Sequence, residues 1–246
     1  MRIRTIRYGD NFIYLLLQGG QTAVVDPGAA APVREALEAC GATLSLILLT
    51  HYHGDHTEGC NALKRASGCR IAGPAGGSVR LDEAVTEGDA LAFAGTSITV
   101  LPVPGHTAHD VAYYLRDENV VFTGDTLFAG GCGRLFSGNA AQMWASLLRL
   151  RELPAETRVY GGHDYTLDNL KFALHLEPDN TAIQNRLNAF ESQPKNSIPS
   201  ASTIAEECLT NPFLRCDVPS LVAAVGLSEA SPSTVFAEIR HRKDLW

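Results

Sequence analysis

The chain has 246 residues, of which 45% are hydrophobic and 19% charged, and its formal net charge is −7 at pH 7. This composition is ordinary for a globular protein with a buried core, and the acidic balance argues against a general nucleic-acid binder, which would carry a basic face. Residues 1–5 alternate like a strand and lack the apolar core of a signal peptide, and no run has the length of a membrane helix. We therefore expect a cytoplasmic protein with no nucleic-acid or membrane partner. A monomer is expected as well.

Short apolar or alternating runs predict strands through most of the first two thirds of the chain. They lie at residues 3–8, 12–17, 22–25, 44–49, around 71, 90–93, 98–101, 111–115 and 120–122. Helical spacing predicts helices at residues 31–39 (closed by Gly41), 57–65 and 140–150. Strands interleaved with helices favour an α/β or α+β sandwich.

The pattern changes after Thr166. Helical spacing covers residues 169–176, 182–190 and 233–241, and a Pro- and Ser-rich loop covers residues 193–202. Ser202 or Thr203 could cap a further helix, with Glu206 close behind. We predict a larger domain at residues 1–166 and a smaller helical domain at residues 167–246.

The most informative stretch is Thr50-His51-Tyr52-His53-Gly54-Asp55-His56, directly after a buried strand. Alternation at positions 51 and 53 throws both imidazoles to one side of an extended loop. A lone histidine at a strand end is usually a satisfied polar residue, but three with an aspartate are costly to desolvate without a partner. Imidazole and carboxylate suit zinc, iron(II) and manganese, so the stretch predicts metal binding.

Three more donors, His106, Asp125 and His163, each follow a strand-like run and lie next to or near glycine. Glycine allows close backbone approach, and strand ends position side chains rigidly. With the first four donors this gives seven candidate ligands, which is too many for one tetrahedral ion and fits two ions sharing a carboxylate. Asp125 is the natural bridge. Asp26 is a candidate to hydrogen-bond a ligand imidazole and fix its tautomer.

In this order the four motifs resemble the metallo-β-lactamase superfamily. The resemblance implies an αββα sandwich with a dinuclear site at one sheet edge. It implies that His51, His53 and His106 hold one ion, that Asp55, His56 and His163 hold the other, and that Asp125 bridges them. Zinc is the first expectation, with iron and manganese as alternatives. The resemblance also places Asp55 in catalysis, together with a metal-bridging hydroxide.

Three further segments resemble glyoxalase II, the hydroxyacylglutathione hydrolase family. They are residues 124–134, residues 162–178 and Arg240-His241-Arg242-Lys243-Asp244. The resemblance covers nearly the whole chain. It implies hydrolysis of an S-2-hydroxyacylglutathione such as S-lactoylglutathione, the last step of methylglyoxal detoxification, by attack of the bridging hydroxide on the thioester carbonyl.

The glutathione thioester is the expected small-molecule partner, and its two carboxylates need local basic groups on an acidic protein. The family pattern implicates Arg240 and Lys243, although a basic run at a helix end also suits the helix dipole. Tyr165 is a plausible phenol donor. Many family members have Lys and Tyr where this chain has Arg134 and Phe136. We expect these two residues to change affinity or thiol-carrier preference rather than hydrolysis itself.

Three other functions fit part of the pattern. A persulfide dioxygenase shares the fold and glutathione use but would not need His56 as a ligand. A lactonase or nuclease of this fold would lack the glutathione segment. A non-catalytic metal-binding protein would not need a complete dinuclear ligand set.

Overall fold

The computed structural model describes residues 1–194 and 197–246. The chain folds into two compact units that alternate along the sequence. The first comprises Met1–Pro102, His109–Gly124 and Gly161–Asp164, and the second comprises Val103–Ala108, Asp125–Tyr160 and Tyr165–Trp246.

The first unit contains a six-stranded mixed sheet in which spatial order follows chain order. Its strands are β1 (Arg2–Tyr8), β2 (Asn11–Gln18), β3 (Gln21–Val25), β4 (Thr43–Leu48), β5 (Arg70–Pro74) and β6 (Glu83–Val85). Strands β1 to β3 form an antiparallel meander, and β3 to β6 run parallel. The turn between β2 and β3 uses Gly19 and Gly20, both with positive φ, as tight hairpin turns require.

Helices cover one face of this sheet. They are α1 (Ala30–Cys40), α2 (Gly54–Thr57) and α3 (Cys60–Ser67). Val33 of α1 and Leu63 of α3 share a fully buried apolar cluster with Ile13, Val24 and Ile47 of the sheet. Burial of this apolar stripe holds α1 and α3 on the sheet, since packing rather than propensity stabilises most short helices.

The first unit also contains an antiparallel run of four strands on the other side of the core. These are β7 (Ala90–Phe93), β8 (Thr96–Pro102), β9 (Val111–Leu115) and β10 (Val120–Gly124). The ring of Tyr14 on β2 lies 5.3 Å from that of Phe122 on β10. The Tyr113 hydroxyl donates to the Leu49 carbonyl at 2.8 Å. The two sheets therefore face each other, which confirms the mixed α/β sandwich expected from the sequence.

The second unit is mainly helical. Its helices are α4 (Ala140–Arg151), α5 (Thr166–Leu176), α6 (Thr181–Glu191), α7 (Ile204–Thr210), α8 (Pro219–Ala224) and α9 (Pro232–Leu245). Two short strands, β11 (Arg158–Gly161) and β12 (Ser202–Thr203), pair antiparallel. Phe213 contacts the rings of both Phe172 and Phe236, which links α5 and α9 in one core. Within residues 1–194 and 197–246, no helix is long and apolar enough to cross a membrane.

Most predicted elements are confirmed within two or three residues, and the end signals explain why. Gly41 ends α1 in the left-handed conformation with φ of 59°. Thr203 caps α7 by accepting from the Glu206 amide, as predicted. Strands β6 and β12 and helix α8 were not predicted, because two to six residues are too few to show a period. The predicted loop at residues 193–202 has no helix in its described part, and residues 195 and 196 lie outside the described residues.

The helix predicted at residues 57–65 is instead two helices, α2 and α3. The amide of Gly59 donates to the Pro27 carbonyl at 2.9 Å instead of to the preceding helical turn. A side chain at Gly59 would lie 2.5 Å from that same carbonyl oxygen. Close packing of position 59 on the chain after β3 therefore interrupts the helix.

Candidate metal centre and active site

The histidine motif starts two residues after β4 ends. His51 and His53 lie in an extended loop, and α2 begins at Gly54, so Asp55 and His56 project from its first turn. The Nε2 atom of His51 lies 3.2 Å from Nδ1 of His53. The predicted arrangement of two imidazoles on one side of the loop is therefore present.

His163 reaches the same region of the first unit from the end of the chain segment that follows β11. Its Nε2 atom lies 3.3 Å from Nε2 of His56 and 3.5 Å from Oδ2 of Asp55. The Asp55 oxygen is also 3.7 Å from the His56 nitrogen. Asp55, His56 and His163 thus form a cluster whose ligand atoms all lie within 4.8 Å of one another.

These distances match a shared metal ion. Two imidazole nitrogens bound to one tetrahedral zinc ion at about 2.0–2.1 Å lie roughly 3.3 Å apart, the length of a tetrahedral edge. The His56–His163 separation of 3.3 Å and the His51–His53 separation of 3.2 Å both agree. The donor set of imidazoles and carboxylates suits zinc, iron and manganese alike.

Asp26 hydrogen-bonds His56 and Thr50 and so orients the histidine motif, as predicted. Its Oδ2 accepts from Nδ1 of His56 at 3.0 Å and from the Thr50 hydroxyl at 2.6 Å, and its Oδ1 accepts from the Thr50 amide at 2.8 Å. Thr50 in turn lies 3.0 Å from Nδ1 of His51. A proton on Nδ1 of His56 leaves Nε2 as the unprotonated nitrogen that faces the cluster. Asp26 has φ of 49°, a conformation that aspartate tolerates better than most residues.

Asn11 is a residue that sequence reasoning missed. Its side-chain amide donates to Oδ2 of Asp55 at 3.0 Å and to the Asp55 carbonyl at 3.1 Å. Burial alone would raise the pKa of Asp55, but the Asn11 hydrogen bond and the nearby imidazoles of His56 and His163 outweigh it and lower that pKa. Asn11 is 44 residues away from Asp55, and a single asparagine at the start of a strand gives no signal.

His106 and Asp125 come together in the second unit. Nε2 of His106 lies 3.4 Å from Oδ2 of Asp125, and Nδ1 of His106 donates to the Arg134 carbonyl at 2.8 Å. The amide of Gly133 donates to the Asp125 carbonyl at 3.0 Å. Both predicted ligands are buried, and the backbone of residues 133 and 134 fixes both.

Comparison with known proteins gives matches over nearly the whole chain. Residues 7–163 match the family described as "Metallo-beta-lactamase superfamily", and residues 164–246 match the family described as "Hydroxyacylglutathione hydrolase C-terminus". A hydroxyacylglutathione hydrolase of Fuscovulum blasticum is 49% identical over 245 residues, which is 96% of this chain and 95% of that protein. That of Methylococcus capsulatus is 46% identical over 243 residues, with the same shares. The chain belongs to the hydroxyacylglutathione hydrolase family.

Solved structures share the fold of this chain. The crystal structure of ETHE1 from Myxococcus xanthus has a TM-score of 0.72 at 27% identity and covers 98% of this chain and 90% of its own. A protein named TTHA1623, crystallised in a di-iron-bound form, has a TM-score of 0.62 at 25% identity and covers 87% and 100%. The fold of this chain is thus the metallo-β-lactamase fold with a helical C-terminal region.

The residues predicted to contact the glutathione part of a substrate all lie in the second unit. Phe136 is 65% exposed, and its ring lies 5.2 Å from that of His106. The Arg134 side chain is also exposed, with Nε 3.7 Å from a carboxylate oxygen of Asp244. Tyr165 precedes α5 and packs edge-on against Phe128 at 5.7 Å.

The two basic residues of α9 have internal partners. Arg240 is only 5% exposed, and it donates to the Cys132 carbonyl at 2.9 Å and pairs with Asp244 at 2.9 Å. Lys243 pairs with Asp168 on α5, and burial lowers the pKa of Lys243 although Asp168 opposes that shift. Binding of a substrate carboxylate by either residue remains a prediction.

Cys132 lies in the loop between Asp125 and α4 and is buried. Burial raises the pKa of its thiol to about 11, although the Arg240 guanidinium acts in the opposite direction. The thiol is therefore protonated at neutral pH. A nucleophilic cysteine needs a thiolate, so the expectation that Cys132 is not the nucleophile agrees with its environment.

Proposed function

We propose that this protein hydrolyses S-2-hydroxyacylglutathiones, such as S-lactoylglutathione, to glutathione and a 2-hydroxy acid. The observation that carries the proposal is the Asp55–His56–His163 cluster in a chain whose residues 164–246 match the hydroxyacylglutathione hydrolase C-terminus. The cluster supplies donors for metal-assisted hydrolysis. The C-terminal match supports glutathione thioesters as the substrate class.

Two divalent ions are proposed as cofactors. The superfamily resemblance assigns His51, His53 and His106 to one ion, Asp55, His56 and His163 to the other, and Asp125 to both. Zinc is the proposed metal, and iron and manganese suit the same donors. When bound, such ions activate water for attack on the carbonyl and stabilise the negative charge that develops on its oxygen.

The protein's own contribution is to fix the donors before substrate binds. Asp26 holds the Nδ1 proton of His56, and the Arg134 carbonyl holds that of His106, so Nε2 is the unprotonated nitrogen of both rings. Asn11 holds Asp55. Such partners orient ligands, and their loss typically costs roughly 10–100-fold in metal affinity or activity.

The chemistry of the thioester sets modest further demands. The leaving thiolate has a conjugate acid with pKa about 8.5, so it departs without a dedicated general acid. Substrate binding is proposed to use Arg134, Phe136, Tyr165, Arg240 and Lys243. Two observations support part of this set: the exposed Phe136 ring lies beside His106, and the Arg134 side chain is exposed although the Arg134 backbone carbonyl contacts His106.

The domain assignment is also a proposal. We propose a catalytic domain at residues 1–166 and a substrate-binding helical domain at residues 167–246. The two family matches, which meet at residues 163 and 164, support a boundary in this region. A role in methylglyoxal detoxification, the cytoplasmic location and the monomeric state remain predictions.

The deciding experiment measures S-lactoylglutathione hydrolysis and metal content on the same purified sample. We expect close to two metals per chain, turnover of the thioester, and loss of activity on chelation with recovery on metal addition. A metal-replete preparation without turnover would overturn the proposal. Oxygen consumption with glutathione persulfide, measured in parallel, would instead favour the dioxygenase alternative.

A further inference from the structure

The glycine-rich loop at residues 128–132 is held by side chains of the C-terminal helices. Its own backbone contributes two hydrogen bonds, between Phe128 and Gly131. Four buried polar side chains supply the rest. They are Asn169 on α5, Glu207 on α7, Asn211 at the end of α7 and Arg240 on α9.

Each of these side chains bonds the loop backbone. Asn169 donates to the Ala129 carbonyl at 3.1 Å, and Arg240 donates to the Cys132 carbonyl at 2.9 Å. Asn211 donates to the carbonyls of Phe128 and Gly131, at 3.3 and 3.0 Å. Glu207 accepts from the Gly130 amide at 2.9 Å. Five consecutive residues therefore have a backbone group fixed from outside the loop.

Glu207 is the centre of this arrangement. It is 0% exposed, and its Oε2 accepts from both the Gly130 amide and the Asn211 side chain, each at 2.9 Å. Its Oε1 pairs with Arg186 of α6 at 2.6 Å. Burying a carboxylate is expensive unless it is paired and hydrogen-bonded. The hydrogen bonds from Gly130, Asn211 and Arg186 offset the desolvation of the Glu207 carboxylate and hold it in one orientation.

The two residues that follow the loop, Gly133 and Arg134, contact the predicted ligands of the second unit. The amide of Gly133 donates to the Asp125 carbonyl, and the Arg134 carbonyl accepts from Nδ1 of His106. A side chain at Gly133 would lie 2.0 Å from the Asp125 oxygen and 2.9 Å from Nδ1 of His106. Residue 133 is closely packed against both residues, so we expect a shift of the loop to displace His106 and Asp125.

We propose that Glu207 is a positioning residue for His106 and Asp125. It acts through Gly130 and Asn211 on the loop at residues 128–132, and through that loop on both donors. The inference rests on the proposed function in one respect, that His106 and Asp125 are metal ligands. It gives the C-terminal helices a role in metal binding and turnover, in addition to any role in substrate binding.

The chain offers a matched control in the same helical region. Glu177 is 8% exposed and pairs with Arg215, which is 7% exposed, and it accepts from Ser220 at 3.3 Å. These partners lie outside residues 128–134. Glu177→Gln therefore weakens a buried ion pair of the second unit without touching the loop.

The test compares Glu207→Ala, Glu207→Gln and Glu177→Gln with the wild type. Zinc affinity is measured on metal-free protein by chelator competition, and kcat and KM are measured with S-lactoylglutathione. For Glu207→Ala we expect roughly 10–100-fold weaker zinc binding and a similar fall in kcat, with KM changed less than about twofold. For Glu207→Gln we expect a smaller loss of the same kind, because one amide oxygen cannot serve Arg186 and Gly130 together. Glu177→Gln should lower the Tm and leave zinc affinity and kcat unchanged.

Two results would overturn the inference. One is wild-type zinc affinity and kcat in every Glu207 variant that folds. The other is an equal loss in Glu177→Gln, which would mean that general destabilisation is responsible. If Glu207→Ala does not fold, Glu207→Gln decides by the same measurements. Zinc affinity is measured without substrate, so failure of the wild type to hydrolyse the thioester would count against the proposed function and would leave this comparison intact.

Discussion

The two sets of proposed metal ligands are built in different ways. In the first unit, His51, His53, Asp55 and His56 come from six consecutive positions at the end of one strand and the start of one helix. In the second unit, His106 and Asp125 are nineteen positions apart and are fixed by the backbone of residues 133 and 134. Apart from His163, which lies 107 residues from His56, the first set is local in sequence. The other set depends on contacts from the C-terminal helices.

This difference also appears in the groups that support each set. Asp26 directly contacts His56 and Thr50, so one carboxylate orders most of the histidine motif. In the second unit, support is indirect, from Glu207 to Gly130 and along the loop to Arg134. We expect that losing a single side-chain contact is enough to weaken metal binding by the local set. We expect that metal binding by the other set weakens when the loop at residues 128–132 is displaced.

The largest effect should come from Asp125, the proposed shared ligand. Asp125→Ala is expected to lower the occupancy of both ions and to reduce kcat at least about a hundredfold, because losing a ligand should exceed the loss of a supporting partner. His163→Ala is the matched change in the first unit and should weaken mainly one ion. Metal content per chain and turnover decide the matter. Both metals and wild-type turnover in Asp125→Ala would show that Asp125 is not the bridge.

The next effect tests the support of the local set. Asp26→Asn should weaken metal binding roughly 10–100-fold, since a neutral amide holds the Nδ1 proton of His56 less firmly than a carboxylate. Asparagine tolerates the positive φ at this position, so little backbone strain is added. Asp26→Ala should cost more, because the alanine side chain is strained there as well. Chelator competition on both variants measures the effect, and equal affinity to the wild type would remove Asp26 from this role.

The sequence predicts the local set more directly than the set of the second unit, because only the local set is encoded by neighbouring positions. The histidine motif could be recognised from spacing alone, because its geometry is set by local backbone periodicity. His106 and Asp125 were suggested by strand ends and glycines, but their pairing required the resemblance to a known superfamily. Asn11, Glu207 and Asn211 were missed, since their contacts span 44, 77 and 80 residues and no local pattern encodes them. The break between α2 and α3 was missed because packing of Gly59 on Pro27 overrides helical spacing.

A third prediction separates substrate binding from loop support on α9. Lys243→Ala should raise KM for S-lactoylglutathione by roughly ten- to a hundredfold, which is the loss of a charge-assisted hydrogen bond of about 1.5–3 kcal/mol. The value of kcat should change little, because a bond to a carboxylate remote from the reacting carbonyl is equally strong in the ground state and the transition state. Arg240→Ala should raise KM too, and its bond to the Cys132 carbonyl adds a loss in kcat. A thioester lacking the glutathione carboxylates is the control substrate. Its hydrolysis should be unchanged in Lys243→Ala. An equal loss of activity on both substrates would show that Lys243 stabilises the fold rather than binding the substrate carboxylate.

The smallest expected effect concerns the Arg151–Asp217 ion pair on the surface of the second unit. The Arg151 hydrogen bond lowers the pKa of Asp217 below its ordinary value of about 3.9. A carboxyl group with a lowered folded-state pKa stabilises the fold above the unfolded pKa, and this contribution is lost as pH falls through the folded pKa. The pair is 29% and 37% exposed, so solvent screening limits its contribution to about 1 kcal/mol or less. Asp217→Asn should therefore lower the Tm by a few degrees at pH 6 and have a progressively smaller effect as the pH falls below about 3.9, with metal content and kcat at pH 7 unchanged. Thermal melts across that pH range test this, and a constant difference in Tm at every pH would mean that packing, not charge, is what Asp217 contributes.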